Sequence, residues 1–129
     1  MTNAMLARWW MILTGVILIA VGILGYVPNP IVGQSGLVAT DGLHNAVHVL
    51  TGLVALGIVA LFPNRIAEGT IAFGVLYGVV FVVTLVSPTL FGLFAVPVNS
   101  IDHVIHIALA LASIGIGLLA RASEPAVAR

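Results

Sequence analysis

The chain has no cysteine and no lysine, and only 6% of its residues are charged. Without cysteine there can be no disulfide, thiolate metal site or cysteine nucleophile, and the redox compartment is left open. Four cations, all arginine, balance four carboxylates, so there is no basic surface to attract nucleic acid. Soluble globular chains carry about 25% charged residues. Here 61% of the residues are hydrophobic and the mean hydropathy is +1.26. Enzyme signatures are missing as well: the chain has no nucleophile elbow, no phosphate-binding glycine loop and no HExxH pair. No charged residue falls near the middle of an apolar run, which speaks against a transport pathway. Together these absences point to one non-enzymatic domain, 1–129, whose solvent is mostly lipid.

What the chain does have is four long apolar runs. Residues 6–27, 42–62, 66–87 and 100–121 each reach the roughly 20 residues that a bilayer crossing requires. The expected fold is an all-α membrane protein with four transmembrane helices. Arg8 beside Trp9 and Trp10 fits an interfacial aromatic belt at the start of the first run. A cleaved signal peptide is the rival reading of that run, but its apolar core is too long and no small-x-small site precedes Pro28. A retained helix is expected. Pro28-Asn29-Pro30, Pro63-Asn64 and Pro88 are helix stops, because proline lacks a donor and restricts the residue before it. Thr40 or Asp41 can cap the second helix, and Asn99 or Ser100 the fourth. Residues 31–41 read as a loop or short interfacial segment, 89–99 as a second long connection, and 122–129 as a frayed tail.

The two halves resemble each other. Gly15-Val16-Ile17-Leu18 aligns with Gly74-Val75-Leu76-Tyr77, Pro28 with Pro88, and His48 with His106. Each half reads as helix, proline stop, connection of about a dozen residues and capped helix, so tandem hairpins at about 6–62 and 66–121 are expected to share one topology. In a four-span threading Arg8, Arg65, Arg121 and Arg129 fall on one side, and the two long connections hold no lysine or arginine. The positive-inside rule then places both termini and the middle turn in the cytoplasm.

The polar chemistry is concentrated in two segments, 40–52 and 99–107, which contain all four histidines and two of the four carboxylates. Residues four apart share a helix face, so His44 joins His48 and Asp102 joins His106. The repeat aligns His44 with Asp102 and Asn45 with His103. The expected site is therefore His44, His48, His106 and Asp102 or His103, converging near the extracytoplasmic surface. Neutral imidazoles with one carboxylate and no thiolate suit Zn²⁺ or Cu²⁺. Asp102 is alternatively an acceptor that orients a ligand imidazole. Haem b held by His48 and His106 is a further reading, weakened by the absence of any cation near the histidines to pair with propionates. The plainest reading has no ligand: the histidines cap and crosslink helices, and the protein is a structural or assembly subunit. Asp41 is expected to serve as an N-cap first and a ligand second.

Gly74-xxx-Gly78 and Ala108-xxx-Ala112 are small-residue faces for close helix contact, either within the chain or as a homodimer seam. Tyr26, Tyr77, Phe91 and Phe94 read as interface or core aromatics, and Arg65 with Glu68 as a weak surface pair. The segments Leu43-His44-Asn45-Ala46-Val47-His48-Val49 with Gly52, and Val98-Asn99-Ser100-Ile101-Asp102-His103-Val104-Ile105-His106, resemble those of a bacterial family of small four-helix membrane proteins classed as a domain of unknown function. The resemblance runs from about Gly15 to Gly117 and implies a bacterial inner-membrane location and no particular activity. The family pattern has asparagine where His103 stands and glycine where Ala110 stands.

Overall fold

The computed structural model describes residues 1–125. Its elements in order are α1 (Asn3–Leu24), two short strands β1 (Val32–Gly33) and β2 (Val38–Ala39), α2 (Gly42–Leu61), a single 3-10 turn (Pro63–Arg65), α3 (Ile66–Val86) and α4 (Ser100–Ala122). All four α-helices are long and apolar enough to cross a membrane. Arg129, counted above in the arginine pattern, lies outside the described residues.

Side-chain oxygens start three of the helices. Thr2 accepts from the Met5 N–H, Asp41 from the His44 N–H and Asn99 from the Asp102 N–H. Each satisfies a backbone donor that the first helical turn leaves open. The α1 boundary differs from the expected one, ending at Leu24 rather than Val27. Asn29 accounts for the early stop: its Nδ2 donates to the carbonyls of Leu24 (2.8 Å), Val27 (2.6 Å) and Val32 (2.9 Å), and its Oδ1 accepts from the N–H groups of Ile31 and Val32. The first connection is accordingly built rather than loose. Its β1–β2 ribbon is parallel, with Val32 opposite Val38, and Asn99 Nδ2 ties it to α4 through the Leu37 carbonyl at 2.8 Å.

Helix pairing follows chain order, α1 with α2 and α3 with α4. Glycine sets both crossings, and the structure requires it. A methyl built on Gly15 would lie 2.9 Å from the Gly52 carbonyl oxygen, and one on Gly74 would lie 2.8 Å from that of Ala110. The buried stripe of α4 runs through Asp102, His106, Ala110, Ser113, Gly117 and Ala120, a coiled-coil-like spacing. Ala108 of the expected Ala108-xxx-Ala112 face is exposed, because it lies off that stripe.

The core contains Ala7, Met11, Leu18, Ala55, Phe73 and Tyr77, whereas Leu13, Leu50 and Leu111 stay 57%, 62% and 65% exposed. Trp9 faces outward, but Trp10 turns inward and its Nε1 donates to Ser113 Oγ at 2.9 Å, so the two tryptophans do not form one belt. Arg65 and Glu68 do not pair. Arg65 precedes the helix with a non-helical φ of −125°, and Glu68 Oε2 is buried without a hydrogen-bond partner. Arg8, Arg65 and Arg121 sit at one end of the bundle, where α1 begins, α2 turns into α3 and α4 ends. The opposite end carries both long connections and the histidines.

Candidate functional site

The first two turns of α2 and α4 bring His44, His48, Asp102 and His106 together, with one donor atom from each lying within 4.8 Å of the others. All four are buried, at 2%, 5%, 1% and 2% exposure. Asp102 stands between two imidazoles: its Oδ2 is 3.5 Å from His44 Nε2, and its Oδ1 is 3.5 Å from His106 Nε2. Good N–H···O hydrogen bonds are shorter, about 2.7–3.2 Å. Donors bound about 2.0–2.1 Å from a tetrahedral ion, by contrast, stand roughly 3.4 Å apart. The observed spacing is thus closer to that of ligands around a cation than to a hydrogen-bonded triad.

Hydrogen bonding at the cluster is incomplete. Nδ1 of His44, His48 and His106, together with Asp102 Oδ2, are buried without partners. Such groups each cost about 1–3 kcal/mol when left unsatisfied. A carboxylate at 1% exposure is costlier still unless a cation faces it. A group of this composition could hold a metal ion, with neutral imidazoles and one carboxylate supplying the donors.

Aromatic rings wall the site. His44 stacks on Phe94 with centroids 4.8 Å apart and planes 9° from parallel, and tilts against His48 at 4.5 Å. Tyr77 packs on His106 at 5.8 Å, while its hydroxyl meets Thr51 Oγ1 at 2.9 Å and so links α3 to α2. Phe94 reaches His44 from the second connection, which turns sharply through Leu90, Phe91 and Gly92 at φ values of 48°, 57° and 89°. Two consecutive non-glycine residues in the left-handed region store strain of order 1–3 kcal/mol each. Asp41 anchors the segment just beyond the turn, accepting from the N–H groups of Ala95 and Val96. Desolvation pushes the Asp41 carboxyl up, but the backbone N–H groups of His44, Val96 and Ala95 outweigh it and hold the group below the usual carboxylate range.

Of the residues expected at the site, His44, His48, Asp102 and His106 come together and His103 does not. His103 turns toward α3, its ring edge-on to Phe81 at 6.2 Å and 85°. The reason is angular: residue 103 lies about 100° around the helix from Asp102, off the buried stripe. Asp41 caps α2 as expected, and it is not one of the converging donors. Tyr77 and Phe94, expected only as packing aromatics, belong to the site wall. The one signal that could have marked Tyr77 is its place in the aligned halves of the sequence, where a tyrosine stands opposite Leu18. No family model, no curated protein and no solved structure matches the chain.

Proposed function

We propose that the protein is a small integral membrane protein, a non-enzymatic accessory or binding protein that holds one transition-metal ion, Zn²⁺ or Cu²⁺, through His44, His48, Asp102 and His106 at the extracytoplasmic end of its bundle. The observation that carries this reading is the convergence of four buried donors, three imidazoles and one carboxylate, from α2 and α4 within 4.8 Å. A bound cation would draw the wider donor pairs together and relieve the cost of burying them.

Membrane placement is supported by the four apolar helices and by the exposed leucines on their outer faces. The arginine-free end carries the site, so positive-inside threading directs the site away from the cytoplasm and both termini toward it. Duplication of an ancestral hairpin is supported by the crossings. Gly15 meets Gly52 in the first hairpin, as Gly74 meets Ala110 in the second, and these are aligned positions. A parallel repeat of this kind would bring His48 and His106 together from equivalent helices.

The test is elemental analysis of detergent-purified protein. About one zinc or copper per chain is expected, falling several-fold in His48→Ala and His106→Ala. No stoichiometric metal, even after loading with either ion, would remove the metal reading and leave a structural or assembly subunit. A Soret band in the same sample would shift the assignment to haem held by His48 and His106. Against haem stands His44, whose ring centroid lies 4.5 Å from that of His48 and 6.2 Å from that of His106 and so crowds the space a macrocycle would need.

A further inference from the structure

The second connection, residues 87–99 between α3 and α4, is not composed like a loop that faces water. From Leu90 to Val98 it has no polar side chain, and no charged residue stands between Glu68 and Asp102. Phe94 and Val98 turn inward and are buried, whereas Phe91 and Leu93 are 77% and 64% exposed. The first connection contrasts with it, because its exposed tip, Gln34-Ser35, is polar. Exposed apolar patches of this kind mark contact with a membrane or a protein.

The backbone of the segment decides between those two. Leu90 N–H donates to the Ser87 carbonyl at 2.8 Å, and Phe91 N–H to Ser87 Oγ at 2.9 Å. Gly92 and Phe94 donate to the Thr89 carbonyl at 3.1 and 2.9 Å, and Leu93 to that of Leu90 at 3.3 Å. The Asp41 carboxylate accepts from Ala95 and Val96, and Val98 returns to the Pro88 carbonyl at 2.9 Å. Pro97 has no N–H to place. Every donor from Leu90 to Val98 is thus used inside the chain. A water-facing loop does not need this, since solvent meets what the chain leaves open. Beside lipid it is required, because nothing there can accept from an open N–H. It also leaves no donor for a partner strand to engage. The carbonyls from Phe91 to Pro97 accept no hydrogen bond among the described residues. The backbone therefore suits the boundary between hydrocarbon and headgroups, where water still reaches those oxygens, and not the bilayer centre.

The segment also lies at a suitable depth. Phe94 stacks on His44 in the first turn of α2, and Leu90 shares a small cavity with Val47 and Thr51 of α2 and Val80 and Thr84 of α3. Thr51 is about 14 Å along α2 from its start at 1.5 Å per residue. The connection folds back beside the two helices instead of rising beyond them.

We propose that the second connection is seated in the membrane, with Phe91 and Leu93 inserted among the acyl chains of the leaflet at the histidine end and the backbone at the headgroup boundary. The inference rests on the membrane placement proposed above and does not require the metal.

The chain has no cysteine, so a single thiol can carry a probe. Full-length Phe91→Cys and Leu93→Cys are labelled with a nitroxide and reconstituted into phosphatidylcholine vesicles. Power saturation of the spin-label spectrum then reads collisions with oxygen, which concentrates in lipid, and with chromium oxalate, which stays in water. Leu50→Cys, on the exposed face of α2, is the lipid reference, and Ser35→Cys is the water reference. The oxygen-to-chromium ratio at positions 91 and 93 is expected to match that at 50 and to exceed that at 35 several-fold. Ratios at 91 and 93 that match position 35 would overturn the proposal, and a lipid-like ratio at 50 in the same series would leave the membrane placement standing. A water-like ratio at 50 would overturn both. Labels at 91 and 93 that neither collider reaches would indicate a covering protein and would also overturn it. Both replaced side chains are exposed, and Leu93→Cys decides the matter alone if Phe91→Cys fails to fold.

Discussion

Asp41 does more than a cap ordinarily does. One carboxylate oxygen starts α2 by accepting from His44 N–H at 2.9 Å, and the other holds the second connection by Ala95 N–H and by Val96 N–H at 3.1 Å. Removing a cap costs about 0.5–2 kcal/mol, and hydrogen bonds to a charged acceptor about 1.5–3 kcal/mol. Asp41→Ala is therefore expected to lower stability by about 2 kcal/mol, measured as a reduced Tm in detergent. The pH dependence has a definite sign. The folded carboxyl titrates below its ordinary value of 3.8, so at acid pH the unfolded chain binds the extra proton. Stability from this group is full above the ordinary value and is lost as the pH falls through the folded one. The Tm should fall on that acid side, and Asp41→Asn should flatten the fall. His103 gives a sharper residue-scale test of the site. Because its ring packs on Phe81, outside the donor group, His103→Asn should leave the metal content expected under the proposed function unchanged, while His106→Ala lowers it several-fold.

At the scale of the helix, the two glycines of Gly74-xxx-Gly78 look alike in sequence and differ in space. A methyl on Gly74 would meet the Ala110 carbonyl at 2.8 Å, whereas one on Gly78 would meet only the Ala110 Cβ at an ordinary 3.9 Å. Gly74→Ala should thus force α3 and α4 apart and cost about 1–3 kcal/mol, while Gly78→Ala should be neutral or slightly stabilising. Thermal melting of the two variants side by side checks the difference. The same contrast shows what a sequence can reveal. Helix number, caps within Thr40–Asp41 and Asn99–Ser100, and the proline stops after α2 and α3 were legible because each has a local cause within a few residues. The choice between Gly74 and Gly78, or the exposure of Ala108, depends on the rotation of one helix against its neighbour. That rotation is a property of two segments at once. The β1–β2 ribbon was illegible for a related reason, since it depends on Asn29 reaching five backbone groups around it.

At the scale of the molecule, each hairpin supplies half of the donors, His44 and His48 from the first and Asp102 and His106 from the second. Four-residue spacing, and the alignment of His48 with His106 in the sequence, made that pairing legible. The threading proposed above is directly measurable, because the chain has no cysteine. Ser35 in the first connection and Asn64 in the middle turn are both exposed and lie at opposite ends of the bundle. Ser35→Cys and Asn64→Cys each give a chain with a single thiol. In intact cells a membrane-impermeant maleimide is expected to label Cys at 35 and to spare Cys at 64 until the membrane is opened. The cause is the placement of Arg8, Arg65 and Arg121 at the far end, which resists translocation. The reverse labelling pattern would turn the histidine cluster toward the cytoplasm. Any metal held there would then be drawn from the cytosolic pool.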